Sequence, residues 1–183
     1  MDPETQAKFA EIERQLELLK DHEHTGVDFK QIQSSNVSGS SGATARLTLG
    51  SSQSIPDTTP TLADFSVQTY SYGITVSTTD KSCTIVTNGR YLIIGSLDYN
   101  ATVDQRRYMV SIYKNGSAVS NNLVLNSGTI RTVTPCVTDI LDLVAGDIIT
   151  IYAVQVSGTT ENLQNAQIVA GTGIGSFFSI AKL

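Results

Sequence analysis

The two histidines of the chain, His22 and His24, stand two residues apart in the segment KDHEHTGVD, residues 20–28. In an extended chain, side chains at positions i and i+2 point the same way, so both imidazoles can face one point. Two ligands from a single chain make a weak metal site, but three chains on a threefold axis would present six imidazoles. Six nitrogen ligands suit octahedral coordination of one divalent transition metal per trimer. Alternatively, the histidines cap the end of a helix by hydrogen-bonding its last carbonyl groups.

The residues before the histidines predict a helix that could supply the threefold axis. Asp2 followed by Pro3 is a typical helix start. The apolar positions then recur at spacings of three, four and three, which is a coiled-coil seam: Phe9, Ile12, Leu16 and Leu19. We therefore predict a coiled-coil helix in residues 1–24, ending in the His-x-His segment. The same pattern also fits an amphipathic helix that packs on its own globular domain.

Residues 25–44 predict an extended linker, because SSNVSGSSG (34–42) is rich in serine and glycine. From residue 45 to residue 183 the apolar pattern changes to the period of two that is typical of strands. Asn115-Gly116 after MVSIYK predicts a hairpin, since both positions of a type I′ turn need a positive φ. Gly146-Asp147 after ILDLVA is a second turn signal of the same kind. Some eight to ten short strands without helical intervals indicate a sandwich or jelly roll.

The segment RYLIIGSLDY (90–99) is apolar on both faces of a strand, with Tyr91 and Ile93 on one face and Leu92 and Ile94 on the other. In a sandwich of this size, a strand that is apolar on both sides implies a second burial surface. Another copy of the same chain is the most economical source of that surface.

Composition excludes several partners and classes. The net charge is -5, and the longest cluster of basic residues is Arg106-Arg107, so nothing favours binding to nucleic acid or to an anionic bilayer. We expect no membrane insertion and no signal peptide, and hence folding in a cytoplasm. Cys83 and Cys136 are too few for a disulfide framework, and we interpret both as small core residues.

No catalytic constellation is present in the body, because both histidines precede it, and we predict that the chain is not an enzyme. GTGIG (171–175) precedes a terminal strand and is interpreted as a flexible turn. A carboxylate pair or a calcium site remains open for the aspartates of the body, although aspartates in turns are usually solvated turn formers. Those aspartates are Asp98, Asp104, Asp139, Asp142 and Asp147.

Five segments of the body, in this order, resemble the globular C1q-like domain of the complement C1q and tumour necrosis factor superfamily: ARLTLGSSQSIP, GRYLIIGSLDY, IYKNGSAV, LDLVAGDIITIYAVQ and FFSIAKL. The resemblance covers about residues 45–183. It implies a mainly β fold, a ten-stranded jelly-roll sandwich that forms compact trimers on a stalk and works by binding rather than catalysis. Here the stalk would be the short N-terminal α-helix, as a trimeric coiled coil.

The chain departs from animal members in having no collagen repeat, no signal peptide and no tryptophan. Similar domains lie at the tips of trimeric bacteriophage fibres and spikes, and HEHTGVD resembles the His-x-His segments of phage tail fibres, where histidines of three chains hold one metal ion. The resemblance thus implies a homotrimeric virion protein, a fibre, spike or capsid decoration assembled in the host cytoplasm. It would bind other virion proteins through its N-terminal region and a host-surface receptor or glycan through its head, with iron, nickel or zinc as the metal. The alternative is a soluble cellular C1q-like adhesin or lectin-like module.

Two segments are the candidate receptor loops, because rigid sandwiches display variable chemistry in loops. QTYSYG (68–73) carries Tyr70 and Tyr72, and NATVDQRR (100–107) carries Asn100, Arg106 and Arg107. Either segment could equally be an ordinary solvated loop or a trimer contact.

Overall fold

The computed structural model describes residues 42–101, 105–127, 131–165 and 175–183. The predicted coiled coil, the His-x-His segment, nearly all of the predicted linker and most of GTGIG lie outside the described residues. Within the described residues, all regular secondary structure is β-strand. No helix in this part of the chain is long and apolar enough to cross a membrane.

Fifteen strands follow one another in the described residues. Their bounds are β1 Thr44–Thr48, β2 Gln53–Ile55, β3 Thr61–Leu62, β4 Val67–Tyr72, β5 Ile74–Ser77, β6 Ser82–Ile85, β7 Gly89–Ser96, β8 Tyr99–Ala101, β9 Arg107–Lys114, β10 Ser117–Leu125, β11 Arg131–Val133, β12 Cys136–Leu143, β13 Ile148–Val156, β14 Glu161–Leu163 and β15 Phe177–Lys182.

Two antiparallel sheets face each other. The five-stranded sheet has the order β12-β7-β15-β1-β4, and the six-stranded sheet has the order β10-β9-β13-β6-β5, with β3 paired to β13. Leaving out the short β3, five strands in each layer make a ten-stranded jelly-roll sandwich, which confirms the predicted mainly β fold. The two-residue apolar period explains it, because each strand turns alternate side chains into the space between the sheets.

The core lies between the two sheets and is closed to solvent. Ile149, Ile151 and Ala153 project inward from β13 and are fully buried. Tyr91 and Ile93 do the same from β7, opposite them. The alternation predicted for RYLIIGSLDY is therefore present, with Leu92 and Ile94 on the outer face and only partly buried.

The chain enters and leaves the sandwich at one end, which we call the proximal end. There the amide of Lys182 donates to the carbonyl of Ala43 at 2.7 Å, and Thr44 pairs with Ala181. Beyond the other end, which we call the distal end, four short strands form a third sheet in the order β11-β8-β14-β2. This distal sheet is built from the connections that leave β1, β7, β10 and β13.

The two predicted turns have different outcomes. Asn115 and Gly116 have φ values of 51° and 81° and join the paired strands β9 and β10, so the hairpin is confirmed. Gly146 also has a positive φ of 93°, but the turn at Gly146-Asp147 joins β12 in the five-stranded sheet to β13 in the six-stranded sheet. The interpretation of this turn as a second hairpin was wrong: it crosses between the layers.

Asp147 anchors this crossing turn at the proximal end, so its interpretation as a solvated turn former was wrong as well. Its side chain is 6% exposed. It accepts hydrogen bonds from Asn115 Nδ2 at 2.8 Å and from the amide of Val144 at 2.8 Å, and Lys114 Nζ lies 2.9 Å from Oδ2. Burial alone would raise the pKa of Asp147, but the hydrogen bonds and the charge of Lys114 lower it below its ordinary value.

The cysteines also differ from the prediction in part. Cys83 is a buried core residue, and burial raises the pKa of its thiol to about 12. Cys136 is exposed, because it occupies an outward position at the start of the edge strand β12, next to the inward Val137. Both thiols are free.

Candidate functional site

The outer face of the five-stranded sheet presents a continuous cross-strand surface. Antiparallel register fixes which side chains are neighbours there, because directly opposed residues share a face. One row crosses all five strands: Tyr72, Thr44, Ala181, Leu92 and Ile140. A second row lies beside it: Tyr70, Arg46, Ser179, Ile94 and Thr138. We call these the first row and the second row.

The first row carries no charged side chain and is the more apolar. Its two ends are the most open to solvent, since Tyr72 is 62% exposed and Ile140 is 55% exposed, and Leu92 between them is partly buried. An antiparallel sheet of a sandwich normally shows polar side chains to water on its outer face. A row of tyrosine, threonine, alanine, leucine and isoleucine is instead suited to burial against another protein surface.

The second row has a cationic centre held in a fixed position. Arg46 Nη1 donates to Ser179 Oγ at 3.0 Å, and the Arg46 guanidinium carbon lies 4.0 Å from the centre of the Phe177 ring. This stacking is a cation–π contact, which orients the planar guanidinium against the sheet. Tyr70 lies directly opposite Arg46 across the β4–β1 ladder and is 46% exposed.

The distal sheet has two faces of different chemistry. Its inner face closes the end of the core with Tyr99, Leu163 and Ile55, which are fully buried. The Tyr99 hydroxyl donates to the carbonyls of Met109 at 2.9 Å and of Val154 at 3.2 Å, and burial raises the pKa of this phenol. The strand period places hydroxyl, amide and carboxyl groups on the outer face: Ser54, Asp98, Asn100, Thr132, Thr134, Asn162 and Gln164.

Asp98 directly precedes β8, between Thr134 and Gln164, and is fully buried, so its interpretation as a solvated turn former was wrong. Thr134 Oγ1 donates to Asp98 Oδ1 at 3.0 Å, and the Asp98 amide donates to Ser176 Oγ at 2.9 Å. Burial raises the pKa of the Asp98 carboxyl, and the hydrogen bond from Thr134 acts in the opposite direction.

The structure places two of the predicted receptor residues, Tyr70 and Tyr72, in a strand instead of a loop. Tyr70 and Tyr72 belong to β4, where both point outward on the same face as Arg46. QTYSYG looked like a loop because β4 is an exposed edge strand with polar residues at most positions. Its sheet partner β1, rather than its own sequence, determines its conformation.

Asn100, Arg106 and Arg107 lie in the connections and strand ends at the distal end. Asn100 belongs to β8, where it pairs with Thr132 of β11. Arg107 begins β9, and the carbonyl of Arg106 accepts the amide of Asn126 at 2.9 Å. Both arginines are exposed. Two predicted receptor segments thus occupy two different surfaces of the sandwich, the outer face of the five-stranded sheet and the distal end.

The predicted metal ligands His22 and His24, and the seam residues Phe9, Ile12, Leu16 and Leu19, lie outside the described residues. In the part of the chain that the structure describes, no group of three or more histidine, cysteine, aspartate or glutamate side chains could hold a metal ion. The metal site therefore stays a prediction from the sequence.

Sequence reasoning missed two residues of the outer face. Within CVTDILDL, Ile140 resembles a core residue, yet the strand register places it on the outer face beside Leu92. Phe177 opens the last strand as an apolar residue, yet it faces outward, where it contacts Arg46. A strict period of two counted from the inward Val137 and Phe178 would have found both.

Comparison with solved structures identifies the fold. Eiger TNF from S. frugiperda superimposes with a TM-score of 0.57 and 11% identity, over 78% of this chain and 92% of that one. Murine APRIL gives a TM-score of 0.53 and 14% identity, over 78% and 99%. The globular domain of zebrafish complement 1qA gives 0.52 and 10%, over 77% and 95%.

No family model matches the sequence, and no curated protein matches it either. At 10–15% identity the structural likeness establishes the fold alone. The described body therefore has the jelly-roll fold shared by these tumour necrosis factor and C1q proteins, as the five segment resemblances predicted.

Proposed function

We propose that the chain is a homotrimeric, non-catalytic attachment protein of a virus particle, with the jelly roll as its head. The observation that carries this proposal is the outer face of the five-stranded sheet. Its first row crosses every strand without a charge and ends in the exposed side chains of Tyr72 and Ile140. Covering this face removes apolar area from water, which favours association.

Another copy of the same chain is the partner that fits this face best. In a closed ring of three, each chain presents two different patches to its two neighbours. The two exposed ends of the first row, at Tyr72 and Ile140, would supply one patch each. The predicted coiled-coil seam in residues 1–24 favours parallel helices, and parallel helices bring their heads together at one end. The short seam is marginal by itself, so the head surface and the helix would stabilise the same trimer.

The virion assignment rests on the N-terminal sequence. A His-x-His segment after a coiled-coil seam resembles phage tail fibres, and six imidazoles on a threefold axis suit one iron, nickel or zinc ion. In this proposal residues 1–24 contact other virion proteins, and the head faces outward.

Host attachment would use the distal end, which lies farthest along the sandwich from Ala43 and Leu183. Its outer face carries hydroxyl and amide groups, with Arg106 and Arg107 exposed nearby. Such groups hydrogen-bond the hydroxyls of a glycan or the polar groups of a receptor. Tyr70 and Tyr72 are reassigned to the contact between copies, because they belong to the rows of the five-stranded sheet.

Two measurements test this function. The chain should be found in purified particles at a multiple of three copies, and the purified full-length chain should compete with particles for adsorption to host cells. The variant Arg106→Ala/Arg107→Ala should remain trimeric and compete more weakly. Absence of the chain from purified particles would overturn the virion assignment.

A soluble cellular C1q-like adhesin or lectin-like module is the second candidate. The fold itself favours it equally, since the similar solved structures include an insect TNF and a fish complement domain. This candidate predicts the same trimer but places it on or outside a cell that produces no particles. Detection of the chain in fractionated cells without virus induction would support it.

A further inference from the structure

Two buried oxygen atoms of the distal sheet have no hydrogen-bond partner. They are Oδ2 of Asp98, a residue with no exposed surface, and Oε1 of Gln164, a residue 8% exposed. A buried acceptor without a donor lowers the stability of the fold, because it has lost its hydrogen bonds to water and formed none within the protein. Native structures seldom leave two such atoms without a reason.

The two residues are direct neighbours across a ladder. Tyr99 of β8 pairs with Leu163 of β14, and one step further along the amide of Gln164 donates to the carbonyl of Asp98 at 2.8 Å. Residues directly opposite in an antiparallel pair lie on one face, with Cβ atoms about 4.5–5.5 Å apart. The carboxyl of Asp98 and the amide of Gln164 therefore share the outer face of the distal sheet.

The other hydrogen bonds that the structure describes at Asp98 involve Thr134, Ser176 and the backbone of Gln164. Thr134 Oγ1 donates to Oδ1 at 3.0 Å, and the Asp98 amide donates to Ser176 Oγ at 2.9 Å. The amide of Ser176 donates to the carbonyl of Gln164 at 3.1 Å, which closes a triangle of Asp98, Gln164 and Ser176. This triangle joins the connection that leaves β7 to the connection between β14 and β15.

With Asp98 ionised and the Gln164 amide in its present orientation, Oδ2 and Oε1 are two buried acceptors on one face, and neither has a donor. We propose that Asp98 keeps its proton and donates Oδ2–H to Gln164 Oε1, forming a proton latch that holds β8 to β14 at the distal end. The proton comes from solvent and no other group is consumed. One proton on Asp98 Oδ2 gives both oxygen atoms a hydrogen bond. An ionised Asp98 could bond to Gln164 only if the Gln164 side-chain amide were turned over.

The electrostatic surroundings agree with this assignment. Burial raises the pKa of Asp98, which favours the neutral acid. The titratable side chains that the structure describes on β8 and β14, Tyr99 and Glu161, alternate with Asp98 and Gln164 and so belong to the inner face of the distal sheet. Thr134 and Ser176, which approach from the β11 and β15 sides, carry no charge.

The latch makes the distal end responsive to pH. Because the folded pKa of Asp98 is raised, its stabilisation is complete below the ordinary value of 3.8 and is lost as the pH rises through the folded pKa. Loss of the proton puts a carboxylate against the Gln164 carbonyl and loosens the contact of β8 with β14. This inference stands apart from the proposed trimer, because every residue in the latch belongs to one chain.

The test compares the full-length chain with Asp98→Asn, whose amide mimics the neutral acid toward both Thr134 and Gln164. Urea unfolding should show the folding equilibrium constant of the wild type falling relative to Asp98→Asn by about tenfold per pH unit between 3.8 and the folded pKa. The exposed variant Asp142→Asn is the control and should show no such divergence in that range. A constant ratio, or one that changes in the opposite direction, would overturn the latch.

Three further measurements keep the proposal testable if Asp98→Asn fails to fold. Carbon-13 NMR of the Asp98 carboxyl in the wild type should give a titration midpoint above 3.8, and a midpoint at or below that value would overturn the latch. Gln164→Leu, which removes the acceptor, should lose stability mainly at acidic pH. If millimolar Ca²⁺ stabilises the wild type but not Gln164→Leu, and a chelator reverses the effect, a cation fills the site and the proton latch is wrong.

Discussion

Leu92 on β7 and Ile140 on β12 lie directly opposite each other, and both side chains are on the outer face of the five-stranded sheet. Leu92 is partly buried, whereas Ile140 is 55% exposed in the isolated chain. The pair forms one end of the first row and is its most apolar part. Its burial between copies is the central structural claim of the proposed assembly.

Ile140→Asp should separate the proposed trimer into single chains. Burial of a large apolar side chain contributes about 1.5–3 kcal/mol, and the substitution places a carboxylate in each of the three copies. Sedimentation velocity at micromolar concentration measures the change. The matched control is Ile148→Asp on β13, where an isoleucine 44% exposed faces outward from the six-stranded sheet. Equal dissociation by both variants would place the contact elsewhere.

Asp147→Asn should lower the free energy of unfolding at pH 7 by about 2 kcal/mol, since hydrogen bonds to a buried charge are stronger than those to a neutral amide. Because the folded pKa of Asp147 is lowered, the advantage of the wild type is complete above 3.8 and disappears as the pH falls through the folded pKa. Urea unfolding at pH 7 and pH 2.5 measures both effects.

Asp142→Asn is the control for Asp147→Asn. Asp142 pairs with Arg90 at 3.3 Å, but the side chains are 84% and 73% exposed, so its loss should change stability little. A larger effect for Asp142→Asn than for Asp147→Asn would contradict the role assigned to the buried carboxylate.

Gly116→Ala should destabilise the chain by about 1 kcal/mol, because residue 116 has a φ of 81°, where a Cβ is strained. Nothing lies within 4 Å of the position that the new methyl group would occupy, so strain alone is being measured. Ser117→Ala on the adjacent exposed strand is the control and should be nearly neutral. If Gly116→Ala unfolds at the same urea concentration as the wild type, the turn is not of the type assigned.

His22→Ala and His24→Ala should each abolish metal binding if three chains share one ion. Elemental analysis of the purified full-length chain should give one metal per three chains for the wild type and none for either variant. Purification without immobilised metal avoids a false signal. Wild-type protein without stoichiometric metal would contradict the metal proposal. It would not bear on the proposed contact between the outer faces of the five-stranded sheets.

The sequence predicted the layers of the fold because the long strands, such as β7, β9 and β13, carry a clear period of two. The Asn115-Gly116 turn could also be predicted from the sequence, since few residue pairs tolerate two positive φ values. The distal sheet was not predicted, because its strands of three residues are too short to show a period. They are fixed by pairing with strands far along the chain.

The candidate surfaces could be predicted from the sequence only in part. Tyr70 and Tyr72 were identified as contact residues but assigned to a loop, since an exposed edge strand resembles a loop in composition. Asp98 and Asp147 were interpreted as solvated turn residues, and the structure buries both. Burial of a carboxylate depends on donors that come from other strands, such as Thr134 and Asn115, and local sequence does not indicate them.

The mass of the full-length chain in solution tests the assembly most directly. Sedimentation equilibrium of the wild type at micromolar concentration should give three times the 19.6 kDa of one chain, and Ile148→Asp should give the same value. Ile140→Asp should give the mass of a single chain. A wild type that sediments as one chain would contradict the proposal that the outer face of the five-stranded sheet is buried between copies.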